Sequence, residues 1–234
     1  MSAFSAWRGG IIAAGEGTRL RAGGYAMSKP MIPVGGRPLI ARALDRLRAA
    51  GVARVTVLVN ETSEDAQRWL ADHGDGLDVV VRTTPSSYAS FRLVAERLAG
   101  APAVITTVDS IMPDADFRAF VRSAAEFGED AVVLGVTGHV DDEKPLWAEL
   151  DARGRVTRLG GASAAHVTAG FYKLPANGLP TPPSSFARLR DYLGWLVESG
   201  RPIFGVALPL VFDIDRAQDV EAAERALSLE SLVR

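Results

Sequence analysis

The chain has no cysteine in 234 residues. That excludes disulfides, thiolate zinc sites and a cysteine nucleophile, and it fits a reducing cytoplasm. Histidine is nearly as scarce. His73, His139 and His166 stand apart with no His-x-x-x-His spacing, so no histidine metal site is expected. Excess charge is also missing: the formal net charge is −2, which sets up no global field toward nucleic acid or an anionic membrane. No run of about 18 apolar residues exists to span a bilayer. The stretch ahead of Gly9-Gly10 is too short for a signal peptide, and residues 11–14 are too short an apolar run to be its core. Repeats and low-complexity segments are absent. What remains is ordinary for a globular protein, 47% hydrophobic and 23% charged, at a length that fits one α/β domain with a sizeable core.

The first half alternates strand and helix. Apolar runs predict strands at 8–14, 54–60, 77–82, 102–108 and 131–136. Between them, Ile40, Leu44 and Leu47 keep helical spacing up to Gly51, with Arg42, Asp45, Arg46 and Arg48 on the wet side. Further helices are predicted at 62–73, after the Thr84-Pro-Ser-Ser87 turn, and at 114–127. The rhythm then changes. A hairpin at 147–150 and 155–159 turns on Gly154, and a strand at 167–174, a helix at 184–197, a strand at 203–208 and a last helix at 216–227 follow. This pattern predicts a mostly parallel central sheet with helices on both faces and antiparallel additions from the C-terminal half: a Rossmann-like three-layer sandwich. Ligands of such sheets bind outside the carboxyl ends of the strands. The loop 15–19, the turn 84–87 and Asp109 should share that rim.

The strongest stretch is Gly10-Ile-Ile-Ala-Ala-Gly-Glu-Gly-Thr-Arg-Leu20, continuing as Ser28-Lys-Pro-Met-Ile-Pro-Val-Gly-Gly-Arg-Pro-Leu-Ile40. A buried strand feeds a loop in which Gly15 and Gly17 permit φ > 0 and leave the backbone open to an anion. Arg19 and Lys29 are placed to meet phosphate oxygens. The third glycine of a dinucleotide fingerprint would fall at Leu20, and no Gly-Lys-Ser/Thr ends the loop, so neither of those nucleotide loops is present. A plain βα turn also fits Gly-x-Gly alone. Asp109 closes the apolar strand in Thr106-Thr-Val-Asp-Ser110, as a metal ligand or as a turn cap. In Phe212-Asp-Ile-Asp-Arg-Ala-Gln-Asp219, Asp213 and Asp215 project to one side of an extended stretch. Either a metal ligand and a helix cap, or two caps, fit that spacing. The charged run at 141–147 reads as a solvated loop or as a flap carrying Lys144 to an acceptor phosphate. Gly170, in Thr168-Ala-Gly-Phe-Tyr172, admits a ligand ring or a packing partner.

Taken together, Ala-Ala-Gly-x-Gly-Thr-Arg-Leu followed by Lys-Pro-Met-x-Pro-Val-x-Gly-x-Pro-Leu-Ile resembles the signature of the sugar-1-phosphate nucleotidyltransferases and their relatives with a MobA-like NTP-transferase domain. The resemblance is tight over 10–40, fair around 104–110 and 211–227, and loose between. It implies a GT-A-like fold and a magnesium-dependent enzyme that moves an NMP group from an NTP to a phosphorylated acceptor, first of all a sugar 1-phosphate, and releases pyrophosphate. It implies Lys29 at the α-phosphate and Arg19 at the β- and γ-phosphates. Backbone of Ala13, Ala14 and Gly15, with Gly17 and Thr18 completing the loop, would hold the nucleotide. Asp109 would bind Mg2+, with Asp213 ahead of Asp215 as the second ligand, and Lys144 and Gly170 would face the acceptor. The chain departs from the family in three places. Val108 precedes Asp109 where Gly or Asn is usual. Thr84, Pro85 and Ser87 stand where relatives read the base, without the usual Gln or Gly-Thr-Ala, so the base is left open. The later Glu-Lys-Pro is replaced by Gly160-Gly-Ala-Ser-Ala-Ala165. One nucleotidyltransferase domain over 1–234 is expected, with about 8–136 holding the nucleotide and about 137–234 supplying the acceptor side and a closing helix. The partners expected are an NTP and a phosphorylated small molecule, with no nucleic acid or membrane; a homo-oligomer is left open. Two other functions fit: cytidylyl or guanylyl transfer to a non-sugar phosphate such as an alcohol phosphate or molybdopterin, and a nucleotide-binding regulator without turnover.

Overall fold

The computed structural model describes residues 4–52, 54–140 and 143–232, and the side chains of all of these but 228–232. The chain runs β1 (Arg8–Ala13), α1 (Thr18–Ala22), a 3₁₀ turn (Lys29–Met31), the two-residue strands β2 (Pro33–Val34) and β3 (Arg37–Pro38), α2 (Leu39–Ala49), β4 (Arg54–Val59), α3 (Glu64–His73), β5 (Leu77–Val81), α4 (Ser87–Leu98), β6 (Ala103–Thr107), β7 (Ser110–Ile111), α5 (Asp114–Glu126) and β8 (Val132–Thr137). It continues through β9 (Trp147–Leu150), β10 (Val156–Leu159), β11 (His166–Leu174), α6 (Leu189–Glu198), β12 (Ile203–Leu208), β13 (Phe212–Asp213) and α7 (Ala217–Leu232).

β1 lies between β4 and β6, parallel to both, and β5 extends this block parallel to β4. β8 stands one place away from β6, and β11 fills the gap, antiparallel to both. β12 pairs parallel with β8, and the β9–β10 hairpin attaches to the start of β11, completing a nine-stranded sheet. Strand–helix alternation predicts crossovers but not the place that β11 takes between β6 and β8. β7 and β13 pair outside the main sheet.

Alternate residues of the strands face two cores. Ile11, Ala13, Val104 and Val133 pack with α2, α3, α5 and α7, while Ala103, Ile105, Leu134 and Val136 pack with α4 and α6. Phe91, Val94, Ala95 and Leu98 of α4 are buried as their spacing requires, as are Val220 and Ala223 of α7. Full burial of a side chain such as Phe91 contributes about 1.5–3 kcal/mol.

Residues 15–38 hold α1, the 3₁₀ turn and the β2–β3 hairpin, elements too brief to show a period in the sequence. Pro38 stands at the N-cap position of α2, one residue ahead of the helix. Two other readings change. The helix expected from 184 begins at Leu189, because Phe186 is drawn off to stack its edge on Tyr88 and to meet Tyr192 and Trp195. Arg46 is not on the wet side: it is 2% exposed. It follows Ala43 by three residues and Leu39 by seven, which is the core face of α2. The first two residues of the charged run 141–147 lie outside the described residues.

Candidate active site

Ile11 and Ala13 bury the end of β1, and the chain breaks there into Ala14–Gly17. Of the two loop glycines only Gly17 adopts the left-handed region, at φ 63°; Gly15 does not use the freedom expected of it. The Gly17 position serves Lys29, since a Cβ on Gly17 would lie 2.8 Å from the Lys29 Cβ. Lys29 enters from the 3₁₀ turn with its side chain only 7% exposed. Its Nζ donates to Asp109 Oδ2 at 2.5 Å and to Asp215 Oδ1 at 2.6 Å. Arg19 Nη1 reaches the other oxygen of Asp215 at 3.0 Å from a far more exposed position. Asp109 and Asp213 come together through the β7–β13 pair, in which Asp213 faces Ser110, and through the Ile214 N–H, which donates to the Asp109 carbonyl at 3.1 Å. Asp109, Asp213 and Asp215 each offer a carboxylate oxygen within 4.8 Å of the other two.

Three carboxylates face two cations here, so the cluster carries one negative charge in excess. Burial works against the Lys29 charge, but Asp109, Asp213 and Asp215 reverse that effect and raise its pKa above the usual lysine value. Burial would push Asp109 up; Lys29, by charge and hydrogen bond, and the Thr107 hydroxyl hold it below the usual carboxylate range. The ligand atoms the trio offers are all carboxylate oxygens, which suits a hard divalent cation such as Mg2+ rather than a thiolate or imidazole metal.

Two cavities meet at this cluster. One, of about 330 Å³, is lined by Ala14, Gly15, Lys29, Thr84, Pro85 and Ser87, and reaches Thr107 and Asp109. The other, of about 190 Å³, opens between β6, β11 and α6 and also reaches Thr107 and Asp109; Thr137, His139, Thr168, Gly170, Tyr172, Arg190 and Asp213 line it. Gly170 sits at the irregularity in the β11–β8 pairing with φ 71°. A Cβ there would come within 2.1 Å of Ser110 Oγ and 2.5 Å of Thr107 Oγ1. Those two hydroxyls share a hydrogen bond of 2.8 Å across the turn that carries Asp109. Gly170 thus both lines the cavity and admits that turn.

The remaining sequence-singled residues fall as follows. The Ala13 side chain is wholly buried in the core, and Thr18 opens α1. Neither lines the first cavity, nor does Gly17. Arg19 lines a shallow groove with Glu143, Asp213, Asp215, Arg216 and Asp219. Asp215 does not cap α7. Asp219 reaches back instead, and its carboxylate accepts from the N–H groups of Asp215 (3.0 Å) and Arg216 (2.7 Å), freeing Asp215 for Lys29. Ser86, not Ser87, caps α4, accepting from the Ala89 N–H at 3.1 Å. The Ser87 hydroxyl accepts from the Leu189 N–H, and Thr84 pairs with Ser90. Lys144 does not line the second cavity; its carbonyl accepts from Arg190 Nη2 at 2.7 Å.

Sequence reasoning missed Arg190, Asn60 and Asp219. Asn60 is 3% exposed. It donates to the Ala14 carbonyl at 3.0 Å and accepts from Thr62 and Thr83, tying the β1 loop to the ends of β4 and β5. The signal was available, since Asn60 closes an apolar strand as Asp109 does. Among the described residues no helix is long and apolar enough to cross a membrane.

A family model described as "MobA-like NTP transferase domain" matches residues 9–233. Among curated proteins, the glucose-1-phosphate thymidylyltransferase of Actinoplanes sp. is 34% identical over 154 residues, 64% of this chain and 50% of that protein. The mannose-1-phosphate guanyltransferase of Gibberella zeae is 30% identical over 155 residues, 59% of this chain and 43% of that protein. The chain thus spans about half the length of the curated relatives it matches. Among solved structures, the inositol-1-phosphate CTP transferase of T. maritima superposes with a TM-score of 0.77 at 21% identity, covering 94% of this chain and 96% of that one. HddC of Yersinia pseudotuberculosis does so with a TM-score of 0.71 at 18% identity, covering 94% and 99%. These neighbours share the fold, a mostly parallel sheet with antiparallel strands between layers of helices.

Proposed function

We propose a function for a chain that belongs to the family of MobA-like NTP transferase domains: transfer of a nucleotidyl group from an NTP to a phosphorylated acceptor of the sugar 1-phosphate kind, with release of pyrophosphate. One observation carries the reading. Two cavities, one under the β1 loop and one against β11, meet on the same residues, Thr107 and Asp109, beside Lys29 and the carboxylate trio. Two anions brought together must have their charge neutralised at the point of contact, and this is where the neutralising groups stand.

In this reading residues of the 8–136 half hold the nucleotide. The backbone of Ala14 and Gly15 meets the nucleoside, Thr84, Pro85 and Ser87 flank the base, and Arg19 turns from Asp215 to the outer phosphates. Lys29 leaves Asp109 and Asp215 for the α-phosphate, where it meets the charge that builds in the transition state. Residues from the 137–234 half complete the acceptor cavity. Arg190, which lines it, meets the acceptor phosphate in the role that the sequence gave to Lys144, and the hydroxyls of Thr137 and Thr168 face the acceptor's own hydroxyls. An acceptor phosphate oxygen bonds to the α-phosphorus as the bond from that phosphorus to the β-phosphate oxygen breaks. The nucleophile is already anionic, so no general base is required. Asp109, Asp213 and Asp215 would hold Mg2+, which would add positive charge on the phosphate oxygens.

The reaction exchanges one phosphoanhydride for another, so it runs measurably in both directions. Incubation with pyrophosphate, magnesium and a set of NDP-sugars should yield an NTP from at least one of them. Cleavage restricted to CDP-alcohols or a pterin dinucleotide would move the acceptor to a non-sugar phosphate. Nucleotide binding with no NTP formed from any compound would leave a regulator on this fold.

A further inference from the structure

Arg46 is a cation buried in the core, 2% exposed, and nothing in the reaction above uses it. Its guanidinium lies between two aromatic faces, Phe117 at 5.9 Å and Phe171 at 5.5 Å. Nη2 donates to the Ser110 carbonyl at 2.8 Å, while Nε and Nη1 donate to nothing among the described residues. Burial pulls its pKa down to about 10, Asp114 opposing that pull and Arg42 adding to it. It therefore stays charged near neutrality. Holding an unpaired charge there costs several kcal/mol, and a methionine or leucine would fill the space between two phenylalanines at less cost. Its single hydrogen bond goes to the residue after Asp109. Ser110 also shares the Thr107 hydroxyl, pairs with Asp213 across β7 and β13, and packs on Gly170. Phe171, under the guanidinium, is the neighbour of that glycine.

We propose that Arg46 is a positioning residue that anchors the Asp109–Ser110 turn from the core side and so sets the distance between the Asp109 and Asp213 carboxylates that would share a divalent cation. This rests on the nucleotidyltransferase reading. The arginine touches no substrate. It acts through one carbonyl, that of Ser110, which follows Asp109 in the chain and faces Asp213 across the β7–β13 pair.

The test compares wild type, Arg46→Met and Arg46→Gln. The methionine removes charge and donor, while the glutamine amide keeps a donor toward the Ser110 carbonyl. Melting temperature, the magnesium dependence of turnover, and calorimetric binding of dTTP, CTP, UTP and GTP with and without magnesium are read for each. Arg46→Met should melt at or above the wild-type temperature, because a buried unpaired charge is gone. Its half-saturating magnesium should rise about tenfold or more, the usual effect of removing a group that orients a metal ligand. Nucleotide should bind it as in wild type without magnesium, and the tightening that magnesium brings should be lost. Arg46→Gln should stay close to wild type in both magnesium measurements. Unchanged magnesium responses in folded Arg46→Met overturn the proposal. A failure of Arg46→Met to fold overturns it too, since the arginine would then be core structure. An equal loss in Arg46→Gln assigns the effect to charge and overturns the role given to the carbonyl. Wild-type protein that binds none of the nucleotides removes the enzyme reading itself, a result distinct from all three.

Discussion

Replacing Lys29 by methionine, which keeps the stem and removes the charge, should convert the carboxylate trio into a cation trap. In the free protein the Lys29 ammonium sits 2.5 Å from Asp109 and 2.6 Å from Asp215, where it would compete with a metal for the same oxygens. A pair of charges about 4 Å apart interacts by about 4 kcal/mol at the effective dielectric of a protein near its surface. Asp109, 21% exposed, feels most of that; Asp215, 39% exposed, is screened by water. Losing the partner of a largely buried charge costs about 3–5 kcal/mol of stability. Magnesium should recover much of it, so its affinity in the absence of nucleotide should rise by about 2–4 kcal/mol, or roughly 30- to 1,000-fold. Calorimetry with magnesium chloride and thermal melts with and without it read both effects, since binding to the native state raises the melting temperature. In wild type magnesium alone should do little, because the ammonium must first be drawn away by a phosphate. Turnover of the variant should fall about 10²–10³-fold, as loss of a transition-state charge contact does. If Lys29→Met binds magnesium no more tightly than wild type, or if its lost stability is not narrowed by the metal, Lys29 does not guard the site.

The same variant should reverse the response to acid. In wild type the depressed Asp109 pKa contributes stability that is complete above about pH 4 and is lost as pH falls through the lower folded value. In Lys29→Met burial alone acts on Asp109, its folded pKa rises above the unfolded one, and urea denaturation should show stability increasing as pH falls from about 7 toward 5. Parallel pH profiles for the two proteins would refute the charge coupling. Gly17→Ala should cost about 1–2 kcal/mol for the left-handed backbone, a modest shift in melting temperature. It should also lower turnover by about 10²-fold, because the new Cβ displaces Lys29. A stability loss with unchanged turnover would make Gly17 only a turn residue.

Much of the fold was legible because local pattern wrote it. β12 occupies the residues predicted for it, and Gly154 turns the β9–β10 hairpin at φ 75°. The place of β11 was not legible, because pairing across the sheet depends on crossovers and leaves no period in the sequence. At the site, Lys29 and Asp109 stood out through their surroundings: a cation after a glycine loop, an acid closing an apolar strand. Arg190 had no such setting, being one of two arginines, with Arg188, around the start of α6. Arg46 was misread for a physical reason: charge suggested water, and the helical period, which pointed inward, was given less weight than the charge. Asp219 could have been seen, since an acid three or four residues into a helix often reaches back to its first N–H groups.

Strand β11 also governs how this chain comes to be folded. It fills the gap between β6 and β8, so during synthesis β6 keeps an unpaired edge until residues 166–174 have emerged. Val104 and Ile105, wholly buried in the finished protein, then sit on an open strand of the kind that invites wrong pairing. The proposed division into a nucleotide side and an acceptor side would be a division of contacts, not of folding. The long-range pairing of a central strand makes the whole sheet one slow, cooperative event. The carboxylate trio forms later still, because Asp213 and Asp215 follow β12 in the chain. A nascent chain therefore carries the β1 loop and Lys29 long before it carries the charges that hold Lys29 in place, and the site becomes competent only after residue 215 has joined it.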